Sequence, residues 1–195
     1  MLASITPLGE RSRGFSWRVT AGAMAIGAIG AGALAGAAAG GLGTLLPGGT
    51  AWRSGIVAAL LVGAALLDAP GGRLRLPSSH RQVNEDWLAR YRGWVYGFGF
   101  GAQLGVGVAT IVTTAAIYAL GLLAMLGAGV AGGALIGGSF GAIRGLSLLP
   151  ARRVHDVPAL IALHERIDRL EAPVRRASWL LELLALATAI GWLVW

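Results

Sequence analysis

The chain has 195 residues, of which 55% are hydrophobic and only 13% charged, about half the charged share of an ordinary soluble domain. Its net charge of +7 comes from sixteen arginines, with no lysine and no cysteine anywhere. The absence of cysteine excludes disulfides, thiolate metal sites and thiol redox chemistry by the chain itself. Arginines set between long uncharged runs do not make the aromatic-interleaved basic face of a nucleic-acid module. The composition implies an all-α polytopic membrane helix bundle.

Residues 1–18 carry Pro7, Glu10 and three arginines rather than a continuous apolar core, so they read as a cytoplasmic segment and not as a cleavable signal. No charge occurs from Val19 to Trp52. Spanning the hydrocarbon core takes about 20 mostly apolar residues, which places a first crossing in 19–46. Pro47-Gly48-Gly49 marks a turn, and a second crossing runs to Leu67, ended by Asp68, Pro70, Gly71 and Gly72. Together 19–67 form a first hairpin.

The stretch 68–92 reads as an arginine-rich cytoplasmic loop. Within it Trp87, Leu88 and Tyr91 share an apolar helical face while Arg81, Glu85, Asp86, Arg90 and Arg92 point to headgroups or water. From Gly93 to Ile143 there are 51 residues without a charge, too many for one helix and suited to a second hairpin turning near Gly127-Ala128-Gly129. The segment 144–176 is amphipathic: Pro158 sits at a helix start, and Leu160, Leu163, Ile167, Leu170 and Val174 follow at helical spacing. Its arginines would favour anionic lipids by about 1 kcal/mol each, and a soluble partner could use the same face. Residues 177–195 make a final crossing interrupted only by Glu182, close enough to its start for the carboxylate to snorkel to the interface.

With five crossings, fifteen of the sixteen arginines fall on one side and only Arg53 on the other. The positive-inside rule then puts the N-terminus in the cytoplasm and the C-terminus outside a bacterial inner membrane. Trp17, Trp52, Trp94, Trp179, Trp192 and Trp195 fall near the predicted span ends, as an aromatic belt requires.

Glycine recurs every fourth residue in three of these spans. Gly129, Gly133, Gly137, Gly141 and Gly145 form one series, Gly93, Gly97, Gly101 and Gly105 a second, and Gly32, Gly36 and Gly40 a third. Glycine costs a soluble helix about 1 kcal/mol relative to alanine. In lipid an unpaired amide costs several kcal/mol, so the backbone stays helical regardless. Such strips let helix backbones approach closely, within one bundle first and also at a homo-oligomer face or beside another membrane protein.

Polar groups inside the bilayer are the first place to seek function. Gln103, Thr110 and Thr114, seven and eleven residues apart, share one face if the third span is a single helix. They suit either a polar substrate path or plain interhelical hydrogen bonding. Asp68 and Glu182 are expected at the cytoplasmic interface, available to nearby arginines. No ionisable residue falls at a predicted midplane, which speaks against a proton-driven pump. His80, His155 and His164 are too scattered for a metal site, and "GFGFGAQLG" lies within a transmembrane run rather than after a soluble strand. No cofactor and no catalytic set is expected.

The run "YRGWVYGFGFGAQLGVGVATIVTTAAIYAL" resembles the glycine-rich fourth helix of CcdA and DsbD-type transmembrane domains, a group that extends to sulfite-exporter-like small membrane proteins. "RSRGFSWRVTAGAMAIG" is similar to the basic loop and second helix of that fold. The redox members use paired intramembrane cysteines, which this chain lacks, so the resemblance implies a scaffold and not electron transfer. Two functions follow as expectations. A small transporter-like protein should keep a hydrated cavity beside Gln103 and the third-span threonines. A membrane-organising scaffold, binding a partner or anionic lipids through its arginine-rich loops, should pack that face dry.

Overall fold

The computed structural model describes residues 5–47, 49–69, 86–107, 115–127 and 129–194, and every regular element among them is a helix. In chain order these are α1 (Pro7–Ser12), α2 (Trp17–Thr44), α3 (Thr50–Leu67), α4 (Asp86–Arg90), α5 (Gly93–Val106), α6 (Ala116–Gly127), α7 (Gly129–Leu146), a 3-10 turn (Leu149–Arg153) and α8 (Val157–Val194). Among the described residues, Trp17–Thr44 and Gly129–Arg153 are long and apolar enough to cross a membrane; Trp52–Leu67 and Ala116–Gly127 are shorter apolar helices.

The long helix α2 is the axis of the structure. Thr20, Met24, Ala28, Gly32, Gly36 and Gly40 recur every four residues along it and all are buried. Residues four apart stack on one helical face, so this series is a single ridge with almost no side chain. Against it α7 runs antiparallel: a Cβ on Gly133, Gly137 or Gly141 would collide with the carbonyl oxygen of Gly36, Gly32 or Ala28. On a neighbouring flank α5 runs parallel, with Gly97, Gly101 and Gly105 set against the carbonyls of Thr20, Met24 and Ala28. These helices meet backbone to backbone, and there the helix-propensity cost of glycine is offset by dispersion contacts no larger residue would permit. Gly129 differs from the rest of its series. Its own Cβ position is open, and glycine is needed there for a positive φ of 59° where the chain turns from α6 into α7.

Two stretches depart from the spans expected above. The third crossing is not one helix: α5 stops after 14 residues at Val106, and Gly107 takes a φ of 76°, a left-handed value that ends a helix. The next helix among the described residues begins at Ala116. At the other end of the chain, the amphipathic segment and the final span are continuous. Residues 157–194 form one helix of 38 residues, about 57 Å long, with Pro173 inside it and no glycine before Gly191 to interrupt it.

Candidate functional site

The interruption between α5 and α6 borders the principal cavity of the described residues. It encloses about 720 Å³ and is walled by α2, the end of α5, α6 and α7, through residues such as Gly36, Ala39, Val106, Gly121, Ile136 and Phe140. That volume lies within the range of small-molecule sites, about 300–1,000 Å³. Among the described residues that line it, the Tyr118 hydroxyl is the only polar side-chain group. The cavity lies beside the end of α5: up to Gly105 that flank of α2 packs against α5, and Val106 and Gly107 border the space.

A carboxylate fixes the start of α6. Asp68, just past the end of α3, accepts from the Ala115 amide at 2.9 and 2.7 Å and from the Ala116 amide at 3.3 Å. The first amides of a helix have no partner within it, so an acidic cap both satisfies them and faces the positive end of the helix dipole. Asp68 was expected to be available to nearby arginines; among the described residues it is held by the backbone amides of Ala115 and Ala116. Glu182 of α8 faces it, and Trp179, one turn earlier, donates from Nε1 to the Ala65 carbonyl at 3.0 Å. Helices α3, α6 and α8 therefore meet around one polar junction and a small cluster of Ala64, Ala115 and Ala119.

Of the residues expected to line a polar path, Gln103 lies half-buried on α5 and outside the cavity wall. Thr110 and Thr114 lie outside the described residues, and α5 ends before either, so no single helix carries all three. The glycines Gly133, Gly137 and Gly141 form the α7 face described above, and Gly137 also borders the cavity.

A second polar centre was not foreseen in the sequence. Glu10 is fully buried, and its carboxylate accepts from Arg13 Nη2 at 2.6 Å, Thr20 Oγ1 at 2.7 Å and the Tyr96 hydroxyl at 2.5 and 2.6 Å. It joins α1, α2 and α5. The local chain positions it well. Thr6 caps α1 by accepting from the Gly9 amide at 3.1 Å, and Pro7 occupies the first turn, where its missing amide is harmless. At the other end Gly14 adopts a φ of 75°, with Phe15 N donating to Glu10 O and Gly14 N to Arg11 O, a Schellman turn. Burial works against the Arg13 charge, but the hydrogen bond to Glu10 and the neighbouring Tyr96 hold its pKa above the ordinary value. The same segment is tied to the turn after α7, where Leu8 N donates to Val154 O at 3.1 Å, and to the start of α2, where Trp17 Nε1 donates to Ile5 O at 3.3 Å. The helix bounds were readable in Thr6-Pro7 and Gly14. The partner Tyr96, 86 residues away, was not.

No family model, no curated protein and no solved structure matches this chain.

Proposed function

We propose that this chain is a five-crossing inner-membrane protein, N-terminus cytoplasmic and C-terminus external, that binds and moves an apolar molecule through the cavity beside the α5–α6 break. The crossings are α2, α3, the broken pair α5 and α6, α7 and the C-terminal part of α8. The observation that carries this reading is the break itself. At 1.5 Å per residue α5 is about 21 Å long and α6 about 18 Å, each short of the roughly 30 Å hydrocarbon core. Interrupted helices that meet inside a bundle border the binding sites of many secondary transporters. The predominance of apolar side chains among the described wall residues favours a lipid chain or another apolar solute over an ion. The likeness to CcdA-type domains adds a scaffold to this proposal and no chemistry.

Gly121 supplies the test. It lines the cavity, and a Cβ built on it meets nothing within 4 Å, so Gly121→Leu fills the space without forcing the helices apart. The purified protein should retain bound lipid or a fluorescent acyl probe, and Gly121→Leu should lose it while keeping its thermal stability. Equal retention by both proteins would reject the cavity as the site. Total absence of bound apolar ligand would favour the scaffold function instead.

A further inference from the structure

Beyond its first two turns, helix α8 packs on the rest of the chain with one face only. Trp179 and Glu182 turn that face to α3. The opposite face carries Leu160, Leu163, Ile167, Leu170, Val174, Ala177, Leu181 and Leu184, spaced alternately by three and four. Eight successive positions of this kind are the a and d sites of a heptad repeat, and Trp179 and Glu182 fall at f and b, on the far side of the helix. Leu160 and Leu163 are half-buried near the 3-10 turn. Beyond them the row stands bare: Ile167 is 40% exposed, Leu170 46%, Val174 56%, Leu181 65% and Leu184 61%.

Lipid tails can cover Leu181 and Leu184. Ile167, Leu170 and Val174 need another cover, since they lie among Arg166, Asp168, Arg169, Glu171, Arg175 and Arg176. Four arginines and three acids lie between Glu165 and Arg176, so the stretch is close to neutral and gains little from an anionic membrane surface. The charges flanking the row point to a specific occupant. Arg166 falls at g and Glu171 at the following e. In a parallel pair of helices g of one faces e of the next heptad of the other, so Arg166 meets Glu171 of a second copy, twice by symmetry. An antiparallel pair sets g against g, and the g positions Ala159, Arg166 and Pro173 include no acid. Copies inserted the same way in one bilayer are related by an axis along its normal, which is the parallel order. The Glu171–Arg175 contact within α8, at 3.9 Å and mostly exposed, is too weak to hold Glu171 away from this role.

We propose that two copies of this chain dimerise through α8 as a parallel, in-register coiled coil along Ile167, Leu170, Val174 and Leu181, with Arg166 and Glu171 pairing between copies. This seam is independent of what the cavity holds.

The chain contains no cysteine, so disulfide scanning of the full-length protein in membranes needs no background removal. Leu170→Cys and Val174→Cys should oxidise to a species of twice the 19.9 kDa chain mass, while Glu165→Cys and Arg169→Cys, at f and c, should not. Arg166→Glu should lower the Leu170→Cys crosslink, Glu171→Arg should do the same, and the two together should restore it. Equal crosslinking at all four positions, or none at any, overturns the seam. So does a charge reversal without effect. Quenching of seam-attached fluorophores by lipid-borne quenchers, in a chain that sediments as one copy, would assign the face to the membrane and also overturn it.

Discussion

The two halves of this bundle are held by different kinds of contact. Where α2 meets α5 and α7, the join is backbone against backbone, and most of the glycines at it leave no space for even one extra carbon. Where α3 meets α6 and α8, the join is made by named polar groups: Asp68 on the first amides of α6, Trp179 on the Ala65 carbonyl, and a few alanines between them. The first kind of contact is sensitive to volume and indifferent to chemistry. The second is the reverse. The glycine-packed unit is accordingly the rigid half of the bundle, since closely packed backbones leave no room to shift.

The contrast is sharpest at Gly137. A Cβ there would strike the Gly32 carbonyl oxygen and lie 3.1 Å from Gly36 Cα. Gly137→Leu should therefore abolish detergent-resistant folding, measured by size-exclusion profile and thermal unfolding. Gly30→Leu, on an open face of α2, should leave both unchanged, because a Cβ at Gly30 meets nothing within 4 Å. Equal tolerance at the two positions would remove the distinction between strip and surface.

Next in size is Glu10→Ala. It leaves Arg13, Thr20 and Tyr96 facing an emptied centre, and breaking a buried charge pair by removing one partner typically costs about 3–5 kcal/mol. Chemical denaturation should show that loss, with Glu10→Gln keeping part of it because its amide oxygen still accepts. An effect below about 1 kcal/mol would mean that α1 is an ornament on the bundle and not part of its rigid half.

The smallest effect is expected at Asp68. Asp68→Ala removes a helix cap, worth about 0.5–2 kcal/mol, and should speed amide exchange at Ala115 and Ala116 while amides of the α2–α7 core keep their protection. Should exchange rise across α2 and α7 as well, the two halves would be one cooperative unit.

Much of this was visible in the chain before any coordinates. The helical class follows from hydrophobic runs too long and too glycine-rich for anything else, and the four-residue recurrence of glycine can be read by eye. The break at Gly107 could not be read that way. It stands among Gly105 and other glycines of the same run, and the sequence does not say which of them turns left-handed; in the fold it is Gly107, beside the Phe140 ring, which a Cβ there would meet at 3.0 Å. Glu10 and Asp68 were hidden for a related reason. Each looks like a surface acid near arginines, and each is committed by a partner far along the chain, Tyr96 for one and Ala115 for the other.

The Glu10 centre also sets an order of events during synthesis. Its tyrosine arrives 86 residues after the carboxylate, and the carbonyl of Val154 that receives Leu8 arrives later still. At translation rates of about 5–20 residues per second, Glu10 waits roughly 4–17 s for Tyr96. Over that interval the Glu10 carboxylate can have Arg13 and Thr20 beside it but not the Tyr96 hydroxyl. The junction of α1, α2 and α5 is thus complete only after α5 and the turn behind α7 have been delivered.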